Sequence, residues 1–311
     1  MRVNTKIKVI GVGGSGCNAV SRMMKCNIQG IDLIALNTDV QDLNHCLAHQ
    51  KLRIGKQATK GLGAGMNPEI GKKAAQESAE EIKEMLKNSD MVFITCGLGG
   101  GTGSGASPVI AELAKKQGIL TIGAVTKPFS FEGRQRKILA DKALENLREN
   151  VDTLLIIPND KILSFIDKDT TLISAFWLCD EVLREAVQGI SDLIVLPGII
   201  NVDFADVKAI MKNSGPALFG TGKAKGEKRA EQAVNLALNS SLLDFSIKNG
   251  KGILFNLSSA QGISLNEINT IADIITKTAD PKAKIIFGVV IDKSLKKGEI
   301  KITLIATGFD I

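Results

Sequence analysis

The chain has 311 residues, a formal net charge of +6, 44% apolar residues, one Trp and no Tyr. That length suggests about two domains with a sizeable core. The lysines are spread along helices and turns without interleaved aromatic residues, which argues against a nucleic-acid surface, and runs such as "DLIVLPGII" fall short of the ~20 apolar residues of a membrane helix. The N-terminus enters a strand pattern at once, without the layout of a secretory leader, so a cytoplasmic location without membrane insertion is expected. Five scattered cysteines, with no CxxC pair among them, read as reduced thiols.

Five apolar runs, "KIKVIGVG", "IDLIALN", "MVFITC", "ILTIGAVT" and "TLLIIP", read as buried strands. Between them lie helical stretches expected at 18–28, 40–49, 69–87, 108–117 and 134–149. Strands apolar on both faces, alternating with helices, predict a doubly wound, mostly parallel α/β domain over residues 1–169. Residues 170–200 follow as a long central helix and its connection. Ile173, Phe176, Trp177, Val182, Leu183, Ala186, Val187, Ile190 and Leu193 recur there at helical spacing, which predicts one broad buried face. Residues 201–311 read as a smaller α/β domain with a mixed sheet. Its strands are "PALFGTG", "GILFNLSS", "AKIIFGVVID" and "EIKITLIATG", the last two joined by a hairpin-like "KSLKKGE"; Ser264 and Glu267 have capping-box spacing at a helix start.

Two glycine-rich turns carry the chemistry. "GVGGSG", 11–16, joins the first strand to the first helix and fits a dinucleotide fingerprint, with Asp39 near the end of the second strand. Alone it leaves a nicotinamide-dependent oxidoreductase open. "GLGGGTGSG", 97–105, holds six glycines in nine residues and follows a later strand of the same sheet. Turns at the carboxyl ends of parallel strands face one crevice, so the two can grip one polyphosphate with backbone N–H groups. Thr102 and Ser104 offer hydroxyls to phosphate oxygens, and the chain has no P-loop lysine motif. In "GLGAGMNPEIG" Asn67 is placed to cap a helix that begins at Pro68. His45 and His49 lack both the glutamate and the third ligand of a zinc site.

With the signature "GGGTGSG", and with "GVGGSGCNAV", "NTDVQ", "GLGAGMNPEIG", "PFSFEGRQR", "IPND" and "NVDFADV" in this order, the chain resembles the tubulin/FtsZ family of GTPases from about Lys6 to Phe309. The fold class it implies is tubulin/FtsZ-like: a GTP-binding domain, a long central helix and a smaller C-terminal domain carrying a catalytic loop. The resemblance implies that Gly14, Ser15, Gly16, Cys17 and Asn18, with Gly101, Thr102 and Gly103, hold the phosphates of GTP or GDP; Cys17 stands where the family usually has glycine. It implies that Asn37 and Asp39 lie near the phosphates and magnesium, and that Glu132 and Arg136, on one face if that segment is helical, contact ribose and phosphates. Asn159, Phe176 and Asp180 are implied at the guanine. A carboxylate at Asp180 can accept from both N1–H and the 2-amino group, two donors that adenine lacks.

Asp203 and Asp206, at i and i+3 of an expected helix start, would by themselves complement the helix dipole. The resemblance gives them another role, polarising the attacking water in the next subunit of a head-to-tail filament. A helix of twenty-odd residues spans ~30 Å, which argues that these acids do not reach their own chain's nucleotide. Mg²⁺ is implied on the phosphates, with no dedicated protein ligands. Further implications are a homopolymer that forms the bacterial division ring at mid-cell, and regulators and membrane tethers recruited by a tail peptide, no such peptide being visible after "IATGFDI".

Overall fold

The computed structural model describes residues 5–163, 169–240 and 250–309. The chain divides into two compact units, Met1–Val187 and Gln188–Ile311. That division falls inside the long helix.

The first unit contains β1 (Ile7–Val12), α1 (Gly13–Lys25), β2 (Ile31–Asn37), α2 (Val40–His45), β3 (Gln50–Arg53), α3 (Lys56–Thr59), α4 (Pro68–Glu77), α5 (Ala79–Leu86), β4 (Met91–Gly97), α6 (Thr102–Lys116), β5 (Leu120–Lys127), α7 (Arg134–Asn150), β6 (Thr153–Pro158) and α8 (Asn159–Ile162). Its strands lie in the order β3-β2-β1-β4-β5-β6, and every neighbouring pair is parallel. Apolar residues on both faces of the strands are covered by helices. Ile34, Leu36, Val92 and Ile94 pack with Ala74, Ile82, Ala106 and Ile110 of α4, α5 and α6, while Ala35 joins Cys17, Leu43 and Cys46 of the α1–α2 layer.

The helix expected over 69–87 is two helices, broken at Ser78. Neither glycine nor proline causes the break. The Ser78 hydroxyl accepts the Gly55 N–H at 3.2 Å, and the Glu77 carboxylate accepts from the N–H groups of Gln57 and Ala58 at 2.8 and 3.0 Å. The break thus satisfies the otherwise unpaired start of α3. Helices α1 and α6 begin earlier than the periodicity predicts, because the glycine turns themselves form their first turns. Helix α2 stops at His45, and His49 Nδ1 accepts the Leu33 N–H at 2.9 Å. His45 Nδ1 lies 2.8 Å from the Gln41 carbonyl, and no metal-binding cluster occurs among the described residues.

Glycines let α4 and α6 approach closely. A Cβ on Gly105 would lie 1.9 Å from the Pro68 carbonyl oxygen, and one on Gly71 2.4 Å from that of Gly101. Gly105→Ala is therefore expected to cost at least about 1–3 kcal/mol, read as a lower urea midpoint. Gly100→Ala, where an added Cβ meets nothing within 4 Å, should leave that midpoint in place.

Helix α9 (Leu172–Val195) matches the predicted long helix. Its expected buried face fails in the first two turns: Leu183, Ala186, Val187, Ile190 and Leu193 are buried, but Ile173 is 83% exposed and Trp177 52%. No described helix is long and apolar enough to cross a membrane.

The second unit holds β7 (Gly198–Ile200), α10 (Phe204–Met211), β8 (Gly215–Lys225), α11 (Arg229–Leu238), β9 (Gly252–Ser259), α12 (Leu265–Thr278), β10 (Lys284–Ile291) and β11 (Glu299–Thr307). Its strand order is β8-β11-β9-β10-β7, with only β9 and β10 parallel. The sheet is mixed, as predicted. The hairpin is not formed, because β9 lies between β10 and β11. The connection crosses one strand, roughly 10 Å, which seven residues span easily. Helices α11 and α12 bury Val234, Ala237, Ile271 and Ile275 against Phe255 and Leu257. Ser264 and Glu267 form the expected capping box, and Arg229 beside Glu267 holds that carboxyl down at about 2.

Candidate functional site

Strands β1 and β4 are neighbours, yet their outgoing connections lead to helices separated in sequence by β2 and β3. This is the switch point of a doubly wound sheet, where a crevice opens at the carboxyl ends. The turn after β1 and the turn after β4 meet there. Gly13 adopts φ +72°, and a Cβ on it would lie 3.0 Å from the Gly103 nitrogen. Gly11 and Gly16 serve packing: a Cβ on Gly11 would fall 2.2 Å from the Gly16 carbonyl oxygen, and one on Gly16 2.5 Å from that of Thr95. The first turn of α1 is thereby pressed onto β1 and β4.

A cavity of about 500 Å³ occupies the crevice. Of the predicted residues, Gly14, Ser15, Asn18, Gly101, Thr102, Gly103, Glu132, Arg136, Asn159, Phe176 and Asp180 line it, as do Asn37 and Asp39. Gly16 and Cys17 do not line it; Gly16 faces the strands and Cys17 belongs to the α1–α2 cluster. Gly63, Ala64 and Gly65 of the third glycine-rich segment also line the cavity. That segment runs into α4, whose cap Asn67 accepts the Glu69 N–H as expected.

The hydroxyls are used differently from expectation. Thr102 Oγ1 pairs with Thr38 Oγ1 at 2.6 Å. Ser104 is turned away from the cavity and accepts the Gly99 N–H at 2.9 Å, holding the loop shut upon itself. Nor do Glu132 and Arg136 share one helix. Glu132 ends a 3-10 turn, Ser130–Glu132, and Gly133 at φ +99° separates it from α7. Arg136 nonetheless donates to the Glu132 carboxylate, whose other oxygen accepts the Phe129 N–H at 2.9 Å.

Two buried polar atoms among the lining residues have no protein partner, Asn37 Nδ2 and Asn159 Oδ1. Leaving such groups unpaired costs about 1–3 kcal/mol each, a cost that a hydrogen-bonding ligand removes. Phe176 packs edge-on against Phe129 at 5.4 Å between centroids. Burial raises the Asp180 carboxyl to about 7, with the Arg22 charge opposing. The sequence reading missed Asp42, Thr126, Pro128 and Cys179 in the lining. Asp42 was legible as the acid at the third position of α2; the others carry no signal beyond neighbouring a strand end or Asp180.

The ligand this geometry fits is a nucleotide. Two helix N-termini, where N–H groups are unpaired and the dipole is positive, line the cavity together with an aromatic ring and a carboxylate. The fold and cavity define a doubly wound nucleotide-binding protein.

The GTPase domain of the tubulin/FtsZ family matches residues 6–167, and the C-terminal domain of the FtsZ family matches residues 215–310. The chain is similar to an empty FtsZ dimer from M. jannaschii, with 46% identity and a TM-score of 0.94 over 99% of this chain and 89% of that one. A mutant of FtsZ from M. jannaschii matches at 47% identity and a TM-score of 0.94, over 99% and 92% of the two chains. CetZ2 from Haloferax volcanii, solved as a GTPγS-bound protofilament, shares the fold at 21% identity and a TM-score of 0.81, over 97% and 92%. The chain belongs to the tubulin/FtsZ family, and its C-terminal domain is of the FtsZ type. The nicotinamide alternative is thereby overturned: the stretch containing "GVGGSG" is part of a GTPase domain.

Proposed function

We propose that the chain binds GTP in this cavity, polymerises head to tail into filaments of a division ring, and hydrolyses GTP where one subunit meets the next. The observation that carries this reading is the contact of the two glycine turns, with the Gly13 Cβ position 3.0 Å from the Gly103 nitrogen. Gly14, Ser15 and Asn18 with Gly101, Thr102 and Gly103 then offer backbone to the phosphates, while Gly16 and Cys17, which do not line the cavity, hold the turn in place. Glu132 and Arg136 take the ribose side, and Phe176, Asn159 and Asp180 take the guanine.

The charge balance supports a metal on the phosphates. Among the described residues, Asp39, Asp42 and Glu132, with Asp180 when ionised, line the cavity against one cation, Arg136. A bare triphosphate would be repelled, whereas Mg²⁺ carried on the phosphates with waters offsets the excess. Asp39 and Asp42 are the oxygens best placed to meet it, since Asp39 Oδ2 faces Gly63 and Asp42 Oδ2 faces Gly14.

Self-assembly is supported by apolar residues left bare beside lining residues. Leu62, next to Gly63, is 85% exposed, and Phe131, next to Glu132, is 57% exposed. A site for a charged ligand does not need these, whereas a contact between subunits does. Asp203 and Asp206 of the second unit are the acids proposed to complete the site from the adjacent subunit, making a heterologous contact that does not close. Light scattering with Mg²⁺ and GTP should rise above a threshold protein concentration and stay flat with GDP or NADH. A flat trace with GTP at every concentration would sink the polymer reading.

A further inference from the structure

The described residues contain five free cysteines. Burial pushes the thiols of Cys96 and Cys179 up to about 12, leaving them neutral, and Cys26 is exposed and alone. Cys17 and Cys46 are buried as well, but they differ in being packed together. Cys17 lies in the first turns of α1, one residue before the cavity-lining Asn18, and Cys46 follows the last residue of α2. With Ala35 and Leu43 they form a small apolar cluster.

The Cys46 thiol donates to the Cys17 carbonyl at 3.2 Å, and the Cys17 thiol donates to the Leu36 carbonyl at 3.8 Å. One turn along α1, Ser21 Oγ lies 2.8 Å from the same Cys17 carbonyl and 3.2 Å from Cys46 Sγ, while accepting the Leu47 N–H. That hydroxyl has one proton and two acceptors, so it can turn to Cys46 when the sulfur carries charge. Cys46 thus has a hydroxyl beside it that can stabilise its thiolate, whereas the Cys17 thiol is directed at the Leu36 carbonyl. The pair therefore has an attacking sulfur and a resolving one.

We propose that Cys17 and Cys46 form an oxidisable dithiol, which a peroxide converts into an intramolecular disulfide that pins the first turns of α1 to the end of α2. The Cys46 thiolate attacks one peroxide oxygen and the O–O bond breaks. The departing hydroxide takes up the proton that the thiol released and leaves as water. The Cys17 sulfur then attacks the sulfenic sulfur, the S–O bond breaks, and hydroxide leaves with the Cys17 proton as a second water. Two thiols are oxidised and one peroxide is reduced to two waters. The Cys46 hydrogen bond to the Cys17 carbonyl is lost, and the turn that presents Ser15 and Asn18 to the cavity shifts. This consequence rests on the nucleotide reading of the site.

The test uses the full chain carrying Cys26→Ser, oxidised with hydrogen peroxide, alkylated without reduction, digested and read by mass. The expected product joins the peptides containing Cys17 and Cys46, weighs two hydrogens less than the reduced pair, and is reversed by dithiothreitol. GTP affinity should fall about five- to tenfold on oxidation. In Cys17→Ala, Cys46 should stop at a sulfenic acid that dimedone traps. Cys46→Ser should form no cross-link, and its GTP affinity should not respond to peroxide. Absence of the cross-linked peptide overturns the dithiol, and a cross-link that leaves GTP affinity unchanged overturns its coupling to the site. Failure of the reduced protein to bind GTP overturns the nucleotide reading instead, because the cross-link is read by mass.

Discussion

In an Asp206→Ala variant GTP is expected to bind with unchanged affinity while its turnover falls roughly 10²–10⁴-fold, and filaments should persist once formed. Asp203 is the residue preceding α10 and Asp206 lies in its first turn. A carboxylate there ordinarily accepts a first-turn N–H, but the Asp203 side chain makes no such bond. Both acids are exposed, where they can orient water. If they merely complemented the helix dipole, removing one would change stability by about 0.3–1 kcal/mol and leave turnover alone. Normal hydrolysis by Asp206→Ala would end the proposed role. Mixing this variant with Asp180→Ala, each inactive alone, tests whether the acids act across a contact: turnover should reappear in the mixture.

The second large effect concerns Asp180, whose carboxyl burial raises from 3.8 to about 7. In the proposed base site guanine needs the charged form, which accepts two hydrogen bonds. GTP affinity should therefore fall as the pH drops through about 7, and bound GTP should pull the group back toward ionisation. The stability of the empty protein moves the other way. Between 3.8 and about 7 the folded chain holds a proton that the unfolded chain has released. The stabilising term is therefore complete below 3.8 and lost as pH rises through about 7, amounting to at most roughly 4 kcal/mol. Asp180→Asn should abolish both slopes and weaken GTP by about 10²–10³-fold, because its amide donors face guanine's donors. Calorimetric titration of GTP at two pH values, with urea unfolding of the empty protein alongside, measures both. An affinity indifferent to pH in the unmodified protein would remove Asp180 from the base site.

The parts of the fold set by local chemistry were legible in the sequence. Apolar runs located five of the six strands of the first unit, and the caps at Asn67 and Ser264 fixed two helix starts. The sixth, β3, is "QKLR", a half-exposed edge strand without an apolar pattern. Its place depends on pairing with β2, which composition does not record. The break at Ser78 answers a need created by Gly55, and the insertion of β9 between β10 and β11 is a matter of sheet order. All three are tertiary facts. In the candidate site the two glycine turns were visible as physics, while Asn159, Glu132 and Arg136 were legible only through family resemblance. The Thr38–Thr102 hydroxyl pair joins residues 64 positions apart and had no signal at all.

The chain has one Trp and no Tyr, and that Trp177 follows Phe176 at the cavity, half exposed, with the Arg22 guanidinium 3.5 Å from its ring centre. Indole emission from this protein thus originates at a single spot. Arg22 is also ion-paired to Glu181, the residue after Asp180, so the environment of the ring is tied to the charges beside the proposed base position. The molecule carries its own optical gauge: when that spot is covered, the colour and intensity of its fluorescence are expected to change without any attached dye.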